Sequence, residues 1–130
     1  MKRKTFKMGL VHKISTLGDL KKSGWKSVSI KEEMRKNLIA RMRSDQVTFD
    51  GILGYEETVI PQIQQAILAK HDFILLGLRG QGKTRLLRQM IYLLDDYIPI
   101  VKGSIIHDDP FYPLSRFACE ILNNMGDDTP

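Results

Sequence analysis

The stretch "FILLGLRGQGKTRLLRQM" at residues 73–90 decides which fold the sequence predicts. It begins with a short, wholly apolar run at 73–76, which is typical of a strand covered on both faces in a parallel sheet. A glycine-rich loop at 77–84 comes next, and apolar residues then recur with helical spacing over 83–96. A second apolar run, at 98–101, predicts a second strand. We therefore predict an α/β fold with parallel strands flanked by helices.

Two helices are predicted upstream of this stretch. Ser29 and Glu32 have the spacing of a capping box, in which each side chain satisfies the other residue's backbone N–H, so a helix is expected over 29–43. A second helix is expected over 56–70, where Pro61 lies near the start and its missing N–H costs least. Their apolar stripes are Ile30, Met34, Leu38 and Met42 in the first helix and Val59, Ile63, Ala66 and Ile67 in the second.

A last helix is predicted over 113–125. Pro113 suits the first turn of a helix, and Gly126 suits the C-terminal cap. Cys119 falls on the apolar stripe of this helix and is interpreted as a core residue, because a single cysteine offers neither an internal disulfide nor a metal cluster. The stripe consists of Leu114, Phe117, Ala118, Ile121, Leu122 and Met125.

Positive charge is concentrated in the first third of the chain. Residues 1–45 carry 13 Lys and Arg against 4 Asp and Glu, whereas residues 46–130 carry 7 against 11. A basic segment of this kind contacts nucleic acid, a membrane surface or an acidic partner. The simpler interpretation is a solvated helix face preceded by a flexible start. The longest apolar runs are only a few residues, so we predict no membrane span and no secretory signal, and expect a cytoplasmic protein.

The loop "GLRGQGKT" at 77–84 satisfies the spacing G-x-x-x-x-G-K-[ST] of a phosphate-binding loop. Glycines let the backbone curl with positive φ, so that successive N–H groups point at the phosphates. The N-terminus of the following helix adds a partial positive charge. Lys83 is expected to stabilise the charge of the β- and γ-phosphates, and Thr84 to offer its hydroxyl to Mg²⁺. The sequence therefore predicts a site for ATP and Mg²⁺.

Two arginines extend this candidate site. Arg79 lies inside the loop and Arg85 in the first turn of the following helix, and each either contacts a phosphate or is solvated. The predicted ATP-binding residues of the loop and helix are Gly77, Leu78, Arg79, Gly80, Gln81, Gly82, Lys83, Thr84 and Arg85.

Two acidic segments are weaker candidates for chemistry. Residues 95–96, preceded by "IYLL", have the composition of a Walker B strand, but they follow the loop too closely for the chain to cross over and return as a strand. His107, Asp108 and Asp109 either bind a metal or form a loop before Pro110, and the loop is the commoner arrangement.

Three segments together resemble the N-terminal part of an AAA+ ATPase of the magnesium-chelatase ATPase-subunit type, to which MoxR-type ATPases are related. "FDGILGYEE" at 49–57 is similar to the F-x-x-I-x-G-x-E lead-in of that family. "FILLGLRGQGKTRLL" at 73–87 is similar to its strand, loop and helix, and "GSIIHDDPFYP" at 103–113 to its Asp-Pro segment. The resemblance covers about residues 15–130. We refer to residues 49–57 as the lead-in.

The resemblance implies a partial P-loop NTPase core and a set of partners. It implies that Ile52, Leu53 and Gly54 line the adenine pocket. It also implies that the complete protein assembles as a homo-oligomeric ring, often a hexamer, and uses ATP hydrolysis to remodel an unidentified protein partner. Nothing in the sequence points to a porphyrin, so metal chelation is not carried over.

The sequence departs from this family where hydrolysis is performed. It contains no Walker B strand, no polar sensor residue and no arginine finger, so no catalytic residue is assigned besides Lys83. We therefore expect a fragment that binds ATP and hydrolyses it only within a complete ring. It divides into a basic flexible arm at 1–14, a basic helical region at 15–48 and the truncated ATPase domain at 49–130.

Two other functions remain open. The first is a non-enzymatic module in which nucleotide stabilises the fold while the basic N-terminal region binds nucleic acid or a protein. The second is a small P-loop kinase, although about 76 residues precede the loop and such kinases usually carry it near the N-terminus.

Overall fold

The computed structural model describes residues 14–130, and within this range the chain is a set of short helices joined by turns and loops. The predicted basic arm lies outside the described residues, apart from Ile14. The helices are α1 (Leu17–Lys22), α2 (Ile30–Arg43), α3 (Val59–Leu68), α4 (Lys83–Met90) and α5 (Arg116–Met125), with 3-10 turns at Ile91–Leu93 and Gly126–Asp128.

The predicted α/β fold with parallel strands is wrong. Residues 14–130 contain no β-strand, and their one bridge is an isolated antiparallel pair between Asp109 and Tyr112. The run at 73–76 is not covered on both faces, since Ile74 and Leu76 are 82% and 88% exposed. The run at 98–101 also forms no strand.

The physical reason is that a strand exists only through hydrogen bonds to a neighbouring strand. Apolar character alone does not supply that neighbour, and a short apolar run is ambiguous without it. Among the described residues, no other segment makes backbone hydrogen bonds to 73–76. The partial P-loop NTPase core that the resemblance implied is therefore absent from residues 14–130 as well.

Residues 28–95 form one compact unit around an apolar core. Helices α2 and α3 pack together, and the side chain of Leu38 is fully buried. Arg35 joins the same two helices, because its Nε donates to the Leu68 carbonyl at 2.8 Å. Leu86 attaches α4 to this core and is only 2% exposed. The core cluster consists of Leu38, Phe49, Ile52, Ile60, Ile63, Ile67, Leu86 and Leu93.

The second compact unit combines residues 14–27 with residues 96–130. Helix α1 lies against the 3-10 turn near the end of the chain, where the Leu17 N–H donates to the Thr129 carbonyl at 2.8 Å. Lys21 also pairs with Asp127 at 2.5 Å. The predicted border between residues 48 and 49 lies inside the other unit, which begins at residue 28.

Helix α2 begins where the sequence predicts. The Ser29 hydroxyl accepts a hydrogen bond from the Glu32 N–H at 3.3 Å, which is half of the predicted capping box. The other half does not form, because the Glu32 carboxylate accepts from Lys70 Nζ at 3.0 Å instead. That bond, together with the positive charge of Lys70, lowers the pKa of Glu32.

Three helices are shorter than predicted. Helix α3 covers Val59–Leu68, whereas 56–70 was expected. Helix α4 ends at Met90 and passes into the 3-10 turn, so it does not reach residue 96. Helix α5 begins after a Ser115 cap, so Pro113 precedes the helix and Leu114 is 86% exposed. Its predicted C-terminal cap is confirmed at Gly126, where φ is +55°.

The residues of the predicted apolar stripes are not all buried. On α2, Leu38 is buried and Met34 packs on the core, but Ile30 is 65% exposed. On α3, Ile63 and Ile67 are both buried. In the described part of the chain, no helix combines the length and the apolar character that a membrane span requires.

Candidate phosphate-binding site

The glycine-rich loop at 77–84 adopts a backbone that favours glycine. Gly80 and Gly82 have φ of +82° and +71°, in the left-handed region that side chains with a Cβ avoid. A Cβ at either position would meet no atom within 4 Å, so the space beside both glycines is open. The curl of the chain thus requires glycine at both positions, and the absence of side chains there leaves room for a ligand.

Lys83 folds back across the loop. Its Nζ donates hydrogen bonds to the carbonyls of Gly77 at 2.7 Å and Leu78 at 2.5 Å. The side chain of Gln81 closes the same turn, because its Oε1 accepts from the Leu78 N–H at 2.9 Å. The loop is therefore wrapped around an ammonium group, whose positive charge lies within the curl of the backbone.

The N-terminus of α4 presents backbone donors at the end of the loop. Gly82 is the N-cap, and its carbonyl accepts from the Leu86 N–H at 2.9 Å, but it has no side chain that could cap the first N–H groups. Helix α3 also has no side-chain cap, whereas α1, α2 and α5 are capped by hydroxyls of Thr16, Ser29 and Ser115. An anion at this terminus would satisfy the N–H groups and interact favourably with the helix dipole.

The lead-in lies beside the loop and α4. The Tyr55 hydroxyl donates to the Gln81 carbonyl at 3.2 Å, and Gln89 Nε2 donates to the Asp50 carbonyl at 2.5 Å. A Cβ built at Gly51 would lie 2.8 Å from an Arg85 nitrogen, so the arginine packs against glycine backbone there. The structure thus brings together two segments that are about 20 residues apart in the sequence.

The remaining predicted site residues are placed as follows. Ile52 is buried in the core at 7% exposure, whereas Leu53 is 86% exposed and Gly54 is also exposed. Lys83 is half-buried. The other side chains of the loop and first helical turn that are exposed belong to Leu78, Arg79, Gln81, Thr84 and Arg85. The adenine-lining set implied by the resemblance is therefore split between the core and the surface.

Sequence reasoning did not identify three residues that join the lead-in to the loop or to α4. These are Tyr55, whose hydroxyl reaches the loop, and the pair formed by Asp50 and Gln89. Tyr55 carries a usable signal, since a phenol inside a segment expected beside the loop has a hydroxyl to donate. The bond between Gln89 and Asp50 leaves no signal in the sequence, because its acceptor is a backbone carbonyl, which every residue possesses.

The loop interpretation of the Asp-Pro segment agrees with the structure. Asp108 is buried, and its carboxylate accepts from the hydroxyls of Ser104 at 2.7 Å and Ser115 at 2.5 Å and from two backbone N–H groups. Those hydroxyl bonds hold the pKa of Asp108 well below its ordinary value. No cluster of three or more His, Cys, Asp or Glu side chains suited to a metal ion occurs in residues 14–130.

Two smaller predictions concern Asp95 and Cys119. Asp95 lies just after the 3-10 turn, and its carboxylate accepts from the Asn37 amide at 3.0 Å, which ties it to α2. Cys119 is only half-buried, and its thiol donates to the Pro113 carbonyl at 3.8 Å. It therefore lies at the margin of the apolar packing and not inside it.

The basic face of α2 is largely engaged within its own unit. Lys31 pairs with Asp72 at 2.8 Å, Arg35 bonds the end of α3, and the Arg41 guanidinium donates to the Tyr92 carbonyl at 2.6 Å. Three of the five Lys and Arg side chains of α2 therefore make contacts within the unit.

Comparisons of the chain with protein-family models, with curated proteins and with solved structures find no match.

Proposed function

We propose that the loop at 77–84 binds the phosphates of ATP, with Mg²⁺. The observation that carries this proposal is the position of Lys83. Its ammonium lies over a loop of positive-φ glycines, next to an uncapped helix N-terminus. These groups supply the positive charge and the backbone donors that a chain of phosphates requires.

Binding then exchanges one set of partners for another. Lys83 leaves the carbonyls of Gly77 and Leu78 and pairs with phosphate oxygens. The ammonium donates in both states, and the phosphates add the attraction between opposite charges that neutral carbonyls lack. The N–H groups of Lys83 and Thr84 point along α4 toward the same phosphates. The carbonyls that held Lys83 return to solvent, since the loop is exposed.

Thr84 is the residue that would hold Mg²⁺ together with the phosphates. Its hydroxyl is exposed in the first turn of α4. Magnesium commonly keeps several waters and is bound through one or two protein groups plus substrate phosphates, so an exposed hydroxyl beside the phosphate site fits this requirement.

The larger role in this proposal comes from the resemblance to AAA+ ATPases. In it, the ATP-binding segment belongs to a ring whose hydrolysis remodels a protein partner. The alternative roles, a nucleotide-stabilised binding module or a small kinase, also use this loop. Binding of ATP is therefore the common step to test first.

The direct test is to measure by titration calorimetry how tightly the parent chain and Lys83→Ala bind Mg²⁺-ATP. We expect the affinity for Mg²⁺-ATP to fall roughly ten- to a hundredfold, since a hydrogen bond to a charged group contributes about 1.5–3 kcal/mol. Lys36→Ala is the matched control, because Lys36 is an exposed lysine of the same unit outside the loop.

Two results would contradict the proposal. One is a parent chain that releases no heat on addition of Mg²⁺-ATP at millimolar concentration. The other is a Lys83→Ala variant that binds as tightly as the Lys36→Ala control. Thermal unfolding of both variants checks that neither substitution has changed the fold.

A further inference from the structure

Tyr55 is fixed in place at both ends of its side chain. Its backbone carbonyl accepts hydrogen bonds from the N–H groups of Thr58 at 3.3 Å and Ile60 at 3.0 Å, which ties it to the start of α3. Its ring is partly buried against the apolar core. Its hydroxyl donates to the carbonyl of Gln81 at 3.2 Å. A rigid aromatic ring therefore connects the core to one peptide of the glycine-rich loop.

The segment that carries Tyr55 is itself anchored. Phe49 and Ile52 are buried at 5% and 7% exposure, and the Asp50 carbonyl accepts from Gln89 on α4. The lead-in is thus attached to the core and to the helix that follows the loop. The position of the Tyr55 hydroxyl relative to the loop is set by these attachments.

The bonded peptide is the one that joins Gln81 to Gly82. A trans peptide is planar, and its C=O and N–H point in opposite directions. When Tyr55 holds the Gln81 carbonyl toward the lead-in, the Gly82 N–H must face the opposite side. That N–H lies one residue before α4, at a glycine whose free rotation would otherwise allow the peptide to flip.

We propose that Tyr55 is a positioning residue that holds the Gln81–Gly82 peptide with its N–H toward the phosphates. This inference rests on the proposed function, because it assumes that phosphates bind at the loop. Tyr55 itself touches no phosphate in this proposal and acts through the orientation of one backbone donor. Gly82 allows the positive φ that the loop requires, but it also allows the Gln81–Gly82 peptide to flip. The hydrogen bond from Tyr55 opposes that flip.

The experiment compares Tyr55→Phe with the parent chain in a titration with inorganic tripolyphosphate, followed by amide NMR. Tripolyphosphate has no base, so it reports on the phosphate site alone. We expect the dissociation constant to rise roughly two- to tenfold, as for the loss of one hydrogen bond. We also expect a smaller ligand-induced shift at the Gly82 amide, while the shifts at Lys83 and Thr84 are retained. Tyr97→Phe is the control, since Tyr97 is exposed and lies in the other unit.

The outcomes separate this inference from the function on which it rests. If no loop amide of the parent shifts with tripolyphosphate, the proposed function fails and the role of Tyr55 falls with it. If the parent binds and Tyr55→Phe matches it in affinity and in the Gly82 shift, only the role of Tyr55 is overturned. If Tyr55→Phe binds ATP as the parent does but Tyr55→Ala loses ATP and not tripolyphosphate, the ring contacts the base and the positioning role is overturned.

Discussion

The two compact units of this chain are stabilised by different interactions. Residues 28–95 bury eight apolar side chains in one cluster, so packing is the dominant stabilising term there. The unit of residues 14–27 and 96–130 buries fewer large apolar side chains and is organised around the carboxylate of Asp108, which accepts four hydrogen bonds. The glycine-rich loop belongs to the first unit. The geometry of the loop should therefore depend mainly on apolar packing. Low pH should affect this unit less, through the partly exposed Glu32–Lys70 pair.

The largest expected effect is that of Leu86→Ala. Leu86 is 2% exposed and connects α4 to the core, so its truncation leaves a cavity where the helix after the loop is attached. Leu→Ala changes in cores cost about 2–5 kcal/mol in the free energy of unfolding. Hydrogen exchange at amides of α2 and α3, which share this core, measures the loss.

Leu87→Ala is the matched control, because Leu87 is the next residue on the same helix and is 51% exposed. We expect it to change the free energy of unfolding by less than 1 kcal/mol, since an exposed leucine loses little packing. Equal losses for the two variants would show that α4 is not held by the core. The fluorescence of Trp25, the single tryptophan, follows the other unit in the same samples.

The next effect is that of Asp108→Asn, in the unit organised by hydrogen bonds. The amide keeps the size of the carboxylate but loses its charge. Its oxygen can still accept from the N–H groups of Leu114 and Ser115, but its NH₂ group replaces the oxygen that accepts from the hydroxyls of Ser104 and Ser115, so those two bonds are lost. We expect the Trp25 fluorescence transition to move to lower denaturant concentration. Asp128→Asn, at an exposed aspartate of the same unit, should leave that transition in place.

Low pH should destabilise the unit that contains Asp108 more than the unit of residues 28–95. Hydrogen bonds from Ser104 and Ser115 depress the pKa of Asp108 below its ordinary value of 3.8. A depressed carboxyl pKa stabilises the folded chain above the unfolded value, and this stability is lost as the pH falls below about 3.8 toward the folded value. The Trp25 transition of the parent should therefore weaken below that pH, and Asp108→Asn should flatten this part of the profile. An unchanged acid limb in Asp108→Asn would mean that another group causes the loss.

The sequence predicted the positions of α2 to α5, although not all of their ends, because helices are local. Ser29 marks the start of α2, and Leu38, Ile63 and Leu86 fall on the predicted apolar faces and are buried. The spacing of apolar residues and a capping hydroxyl determine these features within a few turns of chain. The strand at 73–76 was predicted from apolar character alone, and a strand depends on a partner elsewhere in the chain.

In the candidate site, too, the local features could be predicted from the sequence and the contacts between distant residues could not. The glycines of the loop and the position of Lys83 at the start of α4 follow from spacing, and the structure places them as one curl. The bond from Tyr55 to Gln81 crosses 26 residues, and no spacing rule reports such a contact. Ile52 was expected beside a base and lies in the core, because an apolar residue next to a turn fits either environment.

The smallest effects come from one substitution made in both units, Ser29→Ala and Ser115→Ala. Each serine caps a helix, but the Ser29 hydroxyl is exposed and makes one cap bond of 3.3 Å. The Ser115 hydroxyl accepts from the Ala118 N–H at 3.1 Å and also donates to Asp108 at 2.5 Å. Loss of a cap costs about 0.5–2 kcal/mol, so we expect Ser29→Ala near the lower limit and Ser115→Ala near the upper one. Denaturant titrations followed by amide exchange at α2 and by Trp25 fluorescence measure the two losses. Equal losses of stability would mean that Ser115 acts only as a helix cap. The hydrogen bond from Ser115 to Asp108 would then add nothing measurable to the stability of its unit.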